Sequence, residues 1–402
     1  MDTQQLACEC LTSFEDVSSA AAAPLATEWD AFIESIEGDI FLSFTWCRIW
    51  WKHYSQGRTL RLYLYRVDGA LVGLMPVFYE QRWLGPCRLR TAKLLGADHT
   101  IGMVTPPVHP DYAEAIFEAT TTRLLHDENC DAVCFGPLRG ELPVVDQLRS
   151  AISKRTDGTL IRDATRSPYT TFYLPATYDD YMKSFNSKQR SNIKRRLRLL
   201  TDSHEVTQDL LTDQAAVPAE FDRFVELHTK QWQAEGKLGH FGDWPGGTEF
   251  NRDLAVTEAA NDRLRLVRLF ADGDVISYQL CYTFAKKWYW RLPARVMGDA
   301  WSKFALGTVG LVKEIELALE EGTTEIESGA GHYDYKLKLG GTENPLQVLV
   351  FVKEGREGRA RRFLKAADLL HYFYYRVWFN KIAPKLPLPR RPLWKSWIRS
   401  RF

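Results

Sequence analysis

Phe304-Ala305-Leu306-Gly307-Thr308-Val309, then a helical pattern that stops at Gly322, then Glu327-Ser328-Gly329-Ala330-Gly331-His332-Tyr333-Asp334-Tyr335-Lys336-Leu337-Lys338: this run decides the reading of the chain. Leu311, Val312, Ile315 and Leu319 recur at helical spacing, which predicts an amphipathic helix over 308–321. Gly322 supplies the left-handed stop. Gly307 stands at the helix opening, where the first N–H groups lack partners and the dipole is positive, a place suited to a phosphate. A short strand follows and empties into a glycine-rich loop carrying His332, Asp334, Tyr335 and Lys336. Such loops are where α/β proteins place their chemistry.

Upstream, the chain echoes itself. Leu60-Arg61-Leu62 leads to Asp68-Gly69, and Leu264-Arg265-Leu266 leads to Asp272-Gly273 at the same spacing. Both are apolar runs joined at Asp-Gly, the strongest short hairpin signal. The repeat points to two similar halves.

The residues quoted first also resemble a family. An aromatic-Ser-Pro-Gly-Thr element, a helix ending in Gly, and Asp-Phe-Gly-x-Gly-x-x-x-Tyr-Lys mark the CelD/BioF-like branch of the GNAT acyltransferases, which is related to the FemAB aminoacyl transferases. Phe304, Gly307, Thr308, Gly322, Glu327, Gly329, Gly331, Tyr335 and Lys336 match this pattern. Ala305 and Leu306 replace Ser-Pro, Glu327 replaces Asp, Ser328 replaces the aromatic, and Phe304 stands where the phosphate loop usually opens with Arg or Gln. The resemblance implies an α/β (α+β) fold of tandem, duplicated GNAT-like domains, each a mixed, mostly antiparallel twisted sheet flanked by helices. The halves are expected at 1–165 and 166–358, with a basic aromatic tail at 359–402.

By the same resemblance, acetyl-CoA or another acyl-CoA is the co-substrate. It would lie beyond the strand ending near Trp288-Tyr289-Trp290, with Phe304, Gly307, Thr308, Val309 and Trp290 as its binding residues. Glu327 is the expected base or amine ligand, with His332 and Asp334 as rivals. Tyr335 would protonate the leaving thiolate, and Lys336 would neutralise charge. Transfer to an amine needs a polarised carbonyl, a deprotonated amine and contact between the reactants. A Gly-x-Ser-x-Gly nucleophile elbow is absent. A direct ternary-complex transfer is therefore expected, with an amine acceptor such as an amino sugar or a cell-envelope or polysaccharide precursor. Two alternatives stand beside it: a FemAB-like transferase using aminoacyl-tRNA, and a non-catalytic membrane-associated scaffold in polysaccharide assembly.

Six basic residues fall among the eleven positions 188–198, on a predicted helix: Lys188, Arg190, Lys194, Arg195, Arg196 and Arg198. This run reads as an anion site or as a solvated face, and it resembles the Ser-x-Lys-x-Arg-x-x-Ile-Arg segment of FemAB-like proteins. No aromatics interleave, so single-strand base stacking gains no support; nucleic acid enters only as tRNA in the alternative reading. The loop Glu235–Gly247, with His240 and Trp244, is a candidate acceptor wall beside Lys188, Arg190 and Lys194. His228 is read as packing within a helix.

The 402 residues suit two domains, and 45% apolar content supports a large core. The net charge of +1 hides an asymmetry: 361–402 holds eleven Lys/Arg and one acid, on an acidic body. Seven scattered cysteines lack a zinc spacing and read as free, buried thiols of a reducing compartment. No metal site is expected. Neither a signal peptide nor a spanning helix is apparent, so a cytoplasmic protein is expected. Residues 359–383 read as a helix docked on the body. Residues 384–402, with Trp394, Trp397 and Phe402 among basics, suit peripheral contact with an anionic membrane at its inner face.

Overall fold

In the computed structural model the described residues are 5–15, 23–97, 104–211, 213–236, 239–243, 246–386 and 391–401. They form two compact units, Met1–Ser167 with Pro345–Phe402, and Pro168–Asn344.

The first unit holds β1 (Ala7–Leu11), α1 (Ala23–Ser35), α2 (Phe44–Tyr54), β2 (Thr59–Val67), β3 (Ala70–Leu84) and β4 (Cys87–Leu94). After these come α3 (Ala113–Thr122), β5 (Ala132–Arg139), α4 (Pro143–Ser153) and β6 (Gly158–Thr165). The second unit holds β7 (Tyr169–Tyr173), α5 (Tyr178–Ser184), α6 (Ser187–Thr201), β8 (Val206–Leu211), α7 (Val217–Ala234), α8 (Gly239–Asp243) and α9 (Gly247–Ala260). It continues with β9 (Leu264–Ala271), β10 (Asp274–Phe284), β11 (Lys287–Arg295), α10 (Asp299–Ser302), α11 (Leu306–Glu320), β12 (Glu325–Ala330), α12 (Asp334–Lys338) and β13 (Thr342–Asn344). The chain then returns to the first unit through β14 (Leu346–Lys353), α13 (Glu357–Leu370) and α14 (Trp394–Arg399).

Each unit is built on a seven-stranded mixed sheet, ordered β1-β2-β3-β4-β5-β14-β6 in the first and β13-β7-β12-β11-β10-β9-β8 in the second. Read from β1 and from β8, the two orders match strand for strand. Four antiparallel strands come first, the fifth pairs parallel (β4 with β5, β11 with β12), and two more close the sheet. The expected duplication is thus present in topology. Its Asp-Gly signals are both realised: Asp68 (φ 50°) with Gly69 (φ 83°), and Asp272 (φ 53°) with Gly273 (φ 87°), carry the two positive φ values of a type I′ turn.

The expected boundaries shift in one respect. β14, placed by sequence in the second half, lies between β5 and β6 of the first sheet. The segment after it packs there too, so 359–402 is not a separate tail domain. Leu346–Lys353 is apolar on both faces, which fixes a buried strand but not the sheet it joins. Two further differences are local. β5 runs through Gly136-Pro137, a dipeptide that ordinarily breaks a strand, in an irregular part of its pairing with β14. The helix expected to carry 188–198 is α6, separate from α5 because Asn186 accepts from the Gln189 amide and Gln189 accepts from the Asn186 amide, a capping box that starts it afresh.

All seven cysteines are free. Cys47, Cys130, Cys134 and Cys281 are buried as expected, whereas Cys10 is exposed.

Candidate active site

The second sheet forks. β11 and β12 pair in parallel at Lys287 with Glu325, Trp288 with Ile326 and Tyr289 with Glu327, and the ladder stops there. β11 continues to Arg295 and β12 to Ala330 without pairing with each other again. Two irregularities open the fork. On β11, Trp290 faces Cys281 and Leu292 faces Leu280, leaving Arg291 as an extra residue that bends the strand. On β12, the register with β7 slips after Glu327, and Gly329 (φ 83°) takes a conformation that favours glycine.

Beyond the fork lies a cleft of about 410 Å³, within the range of small-molecule sites. Trp290, Arg295 and Met297 wall one side; Gly307 and Thr308, in the first turn of α11, close its end; Tyr335 also lines it. The Thr308 and Val309 amides already donate to the Ala305 carbonyl at 2.8 and 3.2 Å, so at this end it is the amides of Leu306 and Gly307, with the helix dipole, that present positive charge. Two guanidinium groups reinforce it. Arg196 of α6 donates to Thr308 Oγ1 at 2.8 Å. Arg295 stands beside Gly307, where an added Cβ would come 3.5 Å from its Nη1. These groups fit a pyrophosphate, and the apolar wall with Trp290 fits the uncharged arm of a thioester donor.

Trp290 is held from behind. Its Nε1–H donates to Gln279 Oε1 at 2.9 Å, Gln279 Nε2 donates to Ser277 Oγ at 3.1 Å, and Ser277 donates to the Ala294 carbonyl at 3.0 Å. Gly310 of α11 makes room for this chain: a Cβ there would lie 2.3 Å from Gln279 Nε2.

The loop residues separate into distinct environments. Lys336 is 4% exposed. Its Nζ donates to the Ser328 carbonyl and sits 5.1 Å from the Trp290 ring centre and 4.7 Å from that of Tyr333. Burial pushes its ammonium down to about 8, while Glu327 and Glu314 pull it upward. Glu327 is buried, and its carboxylate accepts from the Gly329 amide at 2.9 Å and from Thr171 Oγ1 at 3.1 Å. These bonds tie the carboxylate to the loop at Gly329 and to β7 at Thr171. Tyr335 is 38% exposed, and burial of its hydroxyl raises its pKa, so the phenol keeps its proton. His332 is an exposed loop group, 2.6 Å from Glu343 and 3.2 Å from Asp334, and the Glu343 carboxylate raises its pKa.

Of the five expected donor-binding residues, Trp290, Gly307 and Thr308 line the cleft. Phe304 and Val309 do not: both are buried in a core with Leu200, Leu269 and Ile276. Lys188 and Lys194 are exposed on α6, and Arg190 turns back to the Phe185 carbonyl. His240 is paired with His228, whose Nδ1 faces the Pro293 carbonyl at 2.9 Å and so carries the hydrogen. His228 Nε2 then accepts from His240 Nδ1 at 3.2 Å. Burial holds both neutral, His228 at about 4 and His240 at about 3. Trp244 lies outside the described residues. Arg196 was read only as one charge of a basic run, and Arg295 was not singled out; Arg196 is remote in sequence from the turn it meets.

Comparisons with known proteins agree with this geometry. A family model described as an acetyltransferase (GNAT) domain matches residues 187–337. The solved structure of FemX superposes with a TM-score of 0.57 at 13% identity, covering 81% of this chain and 96% of that one. A conserved protein of unknown function from Bacteroides thetaiotaomicron VPI-5482 superposes with a TM-score of 0.52 at 11% identity, covering 82% and 97%. No curated protein matches the sequence. Residues 187–337 of the second unit thus match an acetyltransferase (GNAT) domain model, and the fold of the chain is similar to that of FemX.

Proposed function

We propose that the second unit transfers an acyl group from acyl-CoA to an amine without a covalent enzyme intermediate. The observation that carries this reading is the divergence of β11 and β12 past Tyr289 and Glu327 beside a cleft lined by Arg295 and by the first turn of α11, where Arg196 bonds Thr308. The α11 amides and the two arginines hold the donor's pyrophosphate, and Trp290 borders its thioester arm. The edge of β11 beyond Tyr289, no longer paired with β12, would offer backbone donors to the carbonyl oxygen as it gains charge. Tyr335, protonated and lining the cleft, gives its proton to the leaving thiolate, and the proton that the amine sheds on forming the amide restores the phenol. Glu327 and Lys336 hold the loop that presents Tyr335. The acceptor class that fits this chemistry is a primary amine, such as that of an amino sugar or envelope precursor.

A second reading, an aminoacyl-tRNA donor, has one observation in its favour. Lys188, Lys194, Arg195 and Arg198 are exposed on α6, and no ion pair joins them to a carboxylate among the described residues.

Calorimetric titration with acetyl-CoA separates the two. Micromolar binding, weakened at least about tenfold in Arg295→Ala, is expected of the acyl-CoA reading. Tyr335→Phe should bind the donor normally yet release its thiol about 100-fold more slowly with an amine panel. A folded sample that binds no form of coenzyme A would sink the acyl-CoA reading and leave the tRNA donor.

A further inference from the structure

Residues 359–383 were expected to form a helix docked on the body, with membrane contact assigned to 384–402. The structure distributes these roles differently. Trp394, Trp397 and Ile398 are buried, with Trp397 stacked on Tyr375 at 4.1 Å between ring centres. The outward face belongs instead to α13 and the π-helical segment His371–Ile382 that continues it. Phe363, Leu364, Ala367 and Tyr374 point into the first unit. On the other side Leu369 is 48% exposed, Tyr372 54% and Phe373 59%. Of the twelve large apolar side chains exposed among the described residues, six fall between Leu369 and Leu393.

Charge tells what covers them. Arg362, Lys365, Leu369, Tyr372, Phe373 and Arg376 recur at steps that keep them on one side of the helix. Arg361, Arg362, Lys365, Arg376, Lys381 and Lys385 are exposed, and among the described residues none of them has an ion pair to a carboxylate. The one acid of 361–402, Asp368, is already paired with Arg162 at 2.6 Å. Rings and a leucine between uncompensated cations suit a surface that is apolar below and anionic above. That is the boundary of an anionic bilayer, where rings enter the headgroup layer and lysines and arginines reach phosphates. No helix among the described residues is long and apolar enough to cross a membrane, so such contact is interfacial.

We infer that the outer face of residues 362–376 is an anionic-lipid docking surface, with Leu369, Tyr372 and Phe373 as its inserting side chains. The test is co-sedimentation of the full chain with phosphatidylcholine vesicles, alone or mixed with phosphatidylglycerol. Binding should need the anionic lipid and weaken with added salt. Tyr372→Ser with Phe373→Ser should lower binding roughly tenfold or more while leaving the melting temperature unchanged, since both rings are exposed. Arg362→Glu with Arg376→Glu should abolish the preference for anionic lipid. Equal or absent binding to the two vesicle types would overturn the inference, as would parental binding by the double serine variant. A parental dimer that this variant dissociates, with no vesicle binding, would also overturn it and assign the face to a second copy of the chain.

Discussion

Lys336 is the residue whose environment can be read most directly by titration. It is charged in a buried cage of Trp290, Tyr333 and the Ser328 carbonyl. In the folded chain its proton leaves near pH 8, and in the unfolded chain near the ordinary value of 10.5. Between these values the unfolded chain holds more protons, so stability rises with pH through that window; below it the burial penalty is fully present. Lys336→Met should remove this rise, about 3 kcal/mol relative to the parent. Urea unfolding near the two ends of the window measures it, and a parental slope in the variant would refute the assignment. The sequence revealed part of this site. Gly307, Thr308, Tyr335 and Lys336 stood out because a helix start and a glycine loop have local signatures. Arg196 and Arg295 did not, because their meeting at α11 depends on tertiary packing. The burial of the Phe304 and Val309 side chains was hidden for a related reason: next to a cleft in sequence, they are turned by the left-handed Ala305 (φ 54°) and the helix it opens into the core.

α11 shows how one element ties the core to the cleft. Its apolar stripe was legible from spacing, and its end at Gly322 (φ 71°) from glycine. What spacing could not reveal is a buried polar chain, Trp290–Gln279–Ser277, beneath the same helix at Gly310. Two effects oppose each other in Gly310→Ala. Alanine in a helix interior gains about 1 kcal/mol over glycine. Against that, a Cβ at 2.3 Å from Gln279 Nε2 forces the amide away, with overpacking costing about 1–3 kcal/mol and each lost buried hydrogen bond about 1–3 kcal/mol. The clash wins, and a net loss of about 2 kcal/mol is expected, together with weaker donor binding as Trp290 is released. Denaturant melts and the same calorimetric titration read both quantities. A stabilised variant with parental binding would mean that the polar chain does not depend on this close approach.

At the scale of the whole chain, the two matched sheets are completed by opposite ends of sequence. β7, next to β12, comes first in the second unit, whereas β14, next to β5, comes after that unit has ended. Strand patterns and Asp-Gly turns disclosed the duplication. They could not disclose this exchange, since an apolar strand reads the same wherever it pairs. The consequence is an asymmetry in what can be cut. Residues 168–344 are continuous and contain every strand of the second sheet. A chain of that span should melt cooperatively and keep its donor cleft. A chain ending at residue 344 lacks β14, and with it the pairings to β5 and β6 and the buried Val348, Val350 and Val352 of the first core. Unpaired edges and a core cavity of that size exceed the ~5–15 kcal/mol that holds a domain together. The first unit should therefore be unfolded or aggregated while the second still melts. Calorimetry of the two chains decides the point: two intact transitions in the 1–344 chain would show that β14 is dispensable to the first sheet.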